Sequence, residues 1–313
     1  MISGHFWTLR AHFGTHFAPP QLPASAAWST RVEDAKLGPV RLSGQLHEAK
    51  GSDELVLIVH GLGGSSESAY VLRAADAAAR AGLSCLRINL RGADLKGEDL
   101  FHAGLASDLD AALATPELAH YRRVSVFGYS LGGHVALRFA GTTSCARLKS
   151  VVAVSPPLDL SASATAFDAP RYSVYRVHVM RSLVNMYREF HARRPSASSL
   201  QLERVARIRS IREWDAAVVV PRWGFASAAD YYEQMSAARV LDRMRVPTLI
   251  VHAMGDPMVP LASVEHVLGS LGSNFRVEIA ERGGHVGFPS NFSLGQNAPA
   301  GLEAQALAWL RSH

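Results

Sequence analysis

Short apolar, β-branched runs alternate with stretches of helical spacing along most of the chain. That rhythm predicts a parallel sheet with helices on both faces. A hairpin is expected first: Arg31–Ala35, a turn at Leu37-Gly38-Pro39, then Val40–His47. Core strands are expected at Leu55–Val59, Ser84–Asn89, Val124–Phe127, Ser150–Val154, Thr248–His252 and Phe275–Ile279. Helical spacing falls over Glu67–Ala81, Ser107–Leu113, Leu131–Ala140 and Leu261–Leu268. In a further segment near the end of the sequence, Gly301–Arg311, Leu302, Ala306 and Leu310 recur every fourth residue, which predicts a core-facing stripe.

One stretch breaks the rhythm. Residues 158–244 hold no convincing core strand, only Arg- and Tyr-rich helical material. An insertion of this size between two strands of a regular sheet reads as a helical cap or lid. It divides the chain into core segments 1–157 and 245–313 around a cap at 158–244. Within the cap, Tyr172, Tyr175, Val179, Leu183, Met186 and Phe190 fall at helical spacing. Such a stripe is ordinarily packing core, and the alternative is the wall of a substrate channel. His191–Leu200, with Pro195 and serines nearby, is the segment expected to be a mobile loop.

Composition narrows the class. The 313 residues are 48% hydrophobic and 19% charged, enough for a large buried core and unlike a disordered or fibrous chain. Cys85 and Cys145 stand far apart and outside any CxxC or Cys/His cluster, which speaks against a structural zinc or a redox motif. No apolar run is long enough to cross a bilayer. Met1–Pro20 lacks a basic start, and His5, Arg10, His12 and His16 interrupt it, so it does not read as a secretory signal. A soluble, cytoplasmic protein is expected. The net charge of +5 is uneven: Arg171–Arg222 holds eleven arginines against four acidic residues. That block is either the solvated face of amphipathic helices or an attractor for an anionic substrate or membrane surface. No nucleic-acid motif accompanies it, so no nucleic-acid partner is expected.

The chemistry centres on Gly128-Tyr129-Ser130-Leu131-Gly132. A GxSxG is weak alone, but here a strand precedes it and a helix follows. A serine at such an elbow sits in a strained turn whose neighbours two before and two after must be small. The hydroxyl then lies at a helix N-terminus, where free N–H groups favour an oxyanion. A serine nucleophile needs a base, and the base an orienting carboxylate, expected in the order Ser, Asp or Glu, His at successive strand ends. Asp256, fixed between Gly255 and Pro257 after Thr248–His252, fits the acid. His285, in the Gly-rich loop after Phe275–Ile279, fits the base. Rivals fit less well: His252 lies inside its strand, His266 in a helix and Asp242 before its strand, while Asp159 is the second-choice acid. For the oxyanion hole, the N–H of Leu131 needs a partner. The loop His60-Gly61-Leu62-Gly63-Gly64 offers that of Leu62, with His60 as a structural hydrogen-bonding residue.

These four motifs together resemble the α/β-hydrolase superfamily. Finer motifs resemble its YheT-like branch: Asn89-Leu90-Arg91-Gly92, Phe101-His102-Ala103-Gly104, Ser155-Pro156-Pro157-Leu158-Asp159-Leu160, Ile211-Arg212-Glu213-Trp214-Asp215, Gly224-Phe225, Asp230-Tyr231-Tyr232, and an N-terminal Gly4-His5 with Thr8-Leu9. Ala93 departs from the pattern, since relatives often carry cysteine or serine there. The resemblance implies an α/β-hydrolase fold, with a mostly parallel central sheet and a helical cap insertion. It further implies a serine hydrolase acting on small-molecule or lipid esters. Ser130 would be nucleophile, His285 base and Asp256 its orienting acid, with no metal or organic cofactor. Three other readings stand beside it: an acyltransferase using the same residues, a lipid-directed lipase that touches anionic membrane through the arginine-rich cap, and a non-catalytic ligand-binding protein on the same fold. Trp214, Trp223, Tyr231 and Tyr232 are expected either in an apolar substrate pocket or in the cap's own core.

Overall fold

Eight strands form one sheet in the order β1-β2-β4-β3-β5-β6-β7-β8. The computed structural model describes residues 4–13, 22–198 and 200–313. The antiparallel hairpin comprises β1 (Ala26–Asp34) and β2 (Gly38–His47), with Gly38 at φ +69° in its turn. β2 pairs antiparallel with β4 (Ser84–Asn89). From β4 onward every pairing is parallel, through β3 (Glu54–Val59), β5 (Arg123–Tyr129), β6 (Leu148–Val154), β7 (Thr248–Ala253) and β8 (Phe275–Ala280). The hairpin begins earlier than its sequence suggests. β1 is an edge strand, mostly exposed apart from buried Trp28, so little alternation marks its start.

Successive side chains of a strand point to opposite faces, and here they sort into two apolar cores. Leu55, Leu57 and Val59 of β3 face one, together with Leu109 and Leu113 of α3 (Ser107–Leu113) and Val135 and Phe139 of a later helix, Leu131–Thr142. Val56 and Ile58 face the other, with Val71, Ala74 and Ala78 of α2 (Ala69–Arg80) and the stripe Leu302, Ala306 and Leu310. Each such valine, leucine, isoleucine or phenylalanine side chain, fully buried, contributes about 1.5–3 kcal/mol. A short α4 (Pro116–Ala119) precedes β5, and α5 (Leu131–Thr142) follows it.

Between β6 and β7 the described residues form helices only: α6 (Leu160–Phe167), α7 (Ser173–Arg193), α8 (Leu202–Val205), α9 (Ile211–Trp214), α10 (Val220–Trp223), α11 (Ala228–Met235) and several single turns. His191–Arg193, expected in a loop, complete the last turn of α7, and Pro195–Ala197 form a 3₁₀ turn; Ser199 lies outside the described residues. After β7, the segment Leu261–Leu268 splits into a 3₁₀ turn and α12 (Glu265–Leu268), because Val264 leaves helical geometry at φ −125°. α13 (Leu302–Arg311) packs against α2. An N-terminal helix, α1 (Gly4–Phe13), was not foreseen; of the segment read against a secretory signal, residues 1–3 and 14–20 lie outside the described residues. Among the described residues no helix is long and apolar enough to cross a membrane.

A buried ionic cluster fastens the insertion to the sheet. Arg91 reaches Asp108 (2.7 Å), Asp99 (2.9 Å) and Asp34 (3.0 Å), and Arg222 of α10 reaches Asp99 (2.7 Å) and Asp34 (2.9 Å). Trp223 lies beneath both guanidinium groups. Other insertion arginines also hold the fold. Arg176 donates to the carbonyls of Phe167, Asp168 and Ala169, and Arg194 to those of Leu37 and Pro39. The arginine block is thus only partly a solvated face; Arg181, Arg188, Arg204 and Arg207 are exposed.

Candidate active site

Because β3, β5, β7 and β8 run parallel, the loops that follow them open on one edge of the sheet. Ser130 sits between β5 and α5 at φ 52°, ψ −120°, a conformation that L-residues rarely adopt. The turn closes so tightly that side chains are excluded on both flanks. A Cβ on Gly128 would lie 2.5 Å from the carbonyl carbon of Gly132. One on Gly132 would lie 2.5 Å from the His60 carbonyl oxygen, and one on Gly61 would come within 3.0 Å of Ser130 Cβ. The strained turn and its glycines thus follow from backbone passing backbone.

Asp256 and His285 meet. His285 Nδ1 lies 2.9 Å from Asp256 Oδ2 and 3.1 Å from Oδ1, with both side chains buried. Asp256 Oδ1 also accepts the N–H groups of Met258 (2.8 Å) and Val259 (2.9 Å). Burial alone would raise the Asp256 pKa, but His285, His252 and the Val259 N–H outweigh it and hold the carboxyl below its ordinary value. An ionised carboxylate only accepts, so His285 Nδ1 is the donor in this contact and Nε2 points away from the carboxylate. Ser130 and His285 line one cavity, and no hydrogen bond joins them.

Leu62 and Leu131 also line that cavity, and among the described residues neither backbone N–H has a hydrogen-bond acceptor. His60 holds the loop that carries Leu62. Its Nε2 accepts the Leu90 N–H (3.1 Å), which leaves Nδ1 to donate to the Gly61 carbonyl (2.8 Å). Burial lowers its pKa to about 4, and it stays neutral. The rivals lie elsewhere. His252 sits in β7 and donates from Nε2 to the Val259 carbonyl (2.9 Å). Asp159 caps α6 by accepting the Ala162 N–H (2.9 Å) and faces the exposed His266 at 3.5 Å. Asp242 is exposed in a turn before β7.

The N-terminal helix completes the framework, a role absent from the sequence reading. Thr8 Oγ1 accepts the His285 backbone N–H (2.9 Å) and donates to the Gly4 carbonyl (2.8 Å). Gly4 packs where a Cβ would lie 2.5 Å from the Gly255 carbonyl carbon, and a Cβ on Gly284 would lie 2.6 Å from Thr8 N. His5 Nδ1 reaches the Tyr175 hydroxyl of α7 at 2.8 Å. The Gly4-His5-x-x-Thr8 spacing was visible in the sequence, but nothing local told what it touches.

The cavity beside Ser130 encloses about 820 Å³, open solvent at its mouth included. Val179 and Leu183 of the α7 stripe line it, while Met186 and Phe190 pack into the core beneath. Trp214, Tyr231 and Tyr232 line it too; Trp223 belongs to the ionic cluster instead.

The alpha/beta hydrolase family matches residues 56–292. YheT of Escherichia coli (strain K12), whose name carries esterase as an inferred activity, is 30% identical over 270 residues, covering 82% of this chain and 76% of YheT. Human monoacylglycerol lipase ABHD2 is 26% identical over 257 residues; the match covers 76% of this chain but only 60% of that protein. Among solved structures, the Pyrococcus furiosus esterase Pf2001 superposes with a TM-score of 0.53 at 16% identity, covering 86% of this chain and 90% of that one. By its sequence match and its sheet, the chain belongs to the alpha/beta hydrolase family, in the YheT-like branch.

Proposed function

We propose that the protein is a serine hydrolase that cleaves carboxylic esters through an acyl-enzyme. One observation carries the reading: a strained Ser130 elbow opens onto the same cavity as a His285 already oriented by Asp256. Ser130 Oγ attacks the ester carbonyl while His285 Nε2 takes its proton and passes it to the leaving alcohol. Asp256 holds the imidazole and supports its positive form. The N–H groups of Leu62 and Leu131 receive the oxyanion. Water, activated by His285, then frees the acid and restores Ser130. The insertion at 158–244 serves as the cap over this site, and its apolar side chains favour an acyl chain or a hydrophobic alcohol. The names of the relatives, an esterase and a monoacylglycerol lipase, support lipid or small-molecule esters. Purified protein assayed against p-nitrophenyl esters from acetyl to palmitoyl should hydrolyse at least one chain length, and Ser130→Ala should hydrolyse none. Equal rates for the two proteins would refute the reading.

Contact with an anionic membrane surface has its own support. Val174 and Val177 of α7 and Phe6 and Leu9 of α1 are exposed apolar residues, and Arg171 and Arg181 lie exposed on the same stretch as the valines. Replacing Arg171 and Arg181 by glutamine should weaken binding to anionic vesicles at low salt. Unchanged binding would sink this reading.

A further inference from the structure

Beyond His102, Ser130 and His285, three insertion segments each bring a polar group to a cavity whose remaining lining is largely apolar. Ser163 comes from α6, Asp215 from the turn after α9, and Tyr232 from α11. Around them stand Phe101, Leu160, Phe167, Leu183 and Trp214. We propose that Ser163, Asp215 and Tyr232 form a subsite that binds a hydroxyl group on the substrate arm held in the cap. The inference rests on the esterase reading for the reaction but not for the binding.

Each member is buried. Asp215 is 8% exposed, and its Oδ2 accepts the Tyr232 hydroxyl at 2.7 Å. Among the described residues no hydrogen bond reaches its Oδ1 and no salt bridge the carboxyl, and the one cation acting on it through space is Arg212. Ser163 is 6% exposed, and its Oγ is unpartnered. A helical serine ordinarily finds the carbonyl four residues back, and among the described residues this hydroxyl finds no partner at all. An apolar side chain at either position would pack here without desolvation cost. The backbone also departs from the ordinary helix at this point. Asp215–Val219 form a π turn, and Pro221 has no N–H for the α-helical bond to residue 217. Such turns recur at functional sites.

The chemistry selects the ligand. Burial raises the Asp215 carboxyl to about 7, so both its donor and acceptor forms are present near neutrality. A hydroxyl satisfies both forms, since it donates and accepts. An ammonium would serve only the ionised form, and it would meet the Arg212 guanidinium, which stacks on Tyr232 at 5.0 Å. The partner is therefore an ester whose cap-held arm bears a hydroxyl, in its acyl chain or on a polyol.

The test uses non-hydrolysable ethers on the Ser130→Ala protein, so turnover plays no part. 1-O-octylglycerol and octyl methyl ether, both kept monomeric, are titrated by calorimetry. The diol should bind about tenfold more tightly, as one or two hydrogen bonds to a buried carboxyl predict. Adding Asp215→Leu should bring the ratio close to one, Asp215→Asn should keep most of it, and Ser163→Ala should lower it by a factor of a few. Equal affinities before any cap substitution overturn the subsite even if Asp215→Leu fails to fold. A ratio that survives Asp215→Leu overturns it as well. Failure of the esterase reading would appear separately, as absence of ester turnover by the wild type.

Discussion

Gly132→Ala places a methyl group where the elbow has no room. The new Cβ would lie 2.5 Å from the His60 carbonyl oxygen and closer still to that of Val59. That is about 1 Å short of an ordinary contact. Both obstacles are backbone, one in β3 and one in the loop that carries Leu62, so no side chain can rotate away. Helix α5 must move off the sheet or the His60 loop must yield. Overpacking of this kind costs about 1–3 kcal/mol, and more where backbone must shift. The displacement reaches Ser130 Oγ and the Leu131 N–H together, and a 1 Å error at reacting atoms costs about 10²-fold in rate. Thermal unfolding and kcat/KM on a p-nitrophenyl ester measure both effects. Gly133→Ala is the control, since its Cβ would meet nothing nearer than 3.1 Å. It should keep most of the activity. A Gly132→Ala protein with wild-type rate and melting temperature would refute the steric account of the elbow.

Further outcomes follow from the same contacts. Thr8→Val leaves the His285 N–H buried without its acceptor. It should cost about 1–3 kcal/mol, with kcat falling more than KM rises and Thr8→Ser restoring both; unchanged kinetics would remove α1 from the active-site framework. Asp99→Asn leaves Arg91 and Arg222 short of a carboxylate 1% exposed and should lower unfolding stability by about 3–5 kcal/mol, measured in urea. Asp215 has a raised folded pKa, so the folded state holds its proton more tightly than the unfolded chain does. Its contribution is present in full below the unfolded value of 3.8 and is lost as pH rises toward about 7. Asp215→Asn should therefore be more stable than wild type at pH 8, by up to about 4 kcal/mol, with the difference vanishing near pH 4. An equal difference at both pH values would contradict the shift.

The sheet was legible because its central strands, β3 to β7, are buried on both faces and bounded by glycine and charged turns. Leu55–Val59 and Ser84–Asn89 are found almost as expected, and β5 runs on through Gly128 and Tyr129 into the elbow. That Ser130, Asp256 and His285 lie beyond strand ends on one edge was legible, because parallel strands place such ends together; their roles remain the proposal. What escaped the sequence depends on contacts between distant segments. Thr8 and His285 are 277 residues apart, and α1 carries no amphipathic stripe to announce a packed helix. The arginines of the insertion look alike in sequence, yet Arg222 is buried between two carboxylates while Arg188 is exposed. Only the packing of α10 against the β1–β2 side separates them. The α7 stripe was ambiguous for the same reason: one helix face supplies both cavity wall and core, and the division falls between Leu183 and Met186.

The most direct test of the central claim is labelling with a fluorophosphonate, followed by intact-mass and peptide mass spectrometry. Such a probe reacts with a serine whose hydroxyl is activated and whose phosphoryl oxygen finds an oxyanion hole. Wild type should gain one adduct, on the peptide containing Ser130. Ser130→Ala should gain none, and His285→Ala should react slower by about 10³-fold or more. A folded wild-type protein that stays unlabelled, or an adduct on any other serine, would contradict the account.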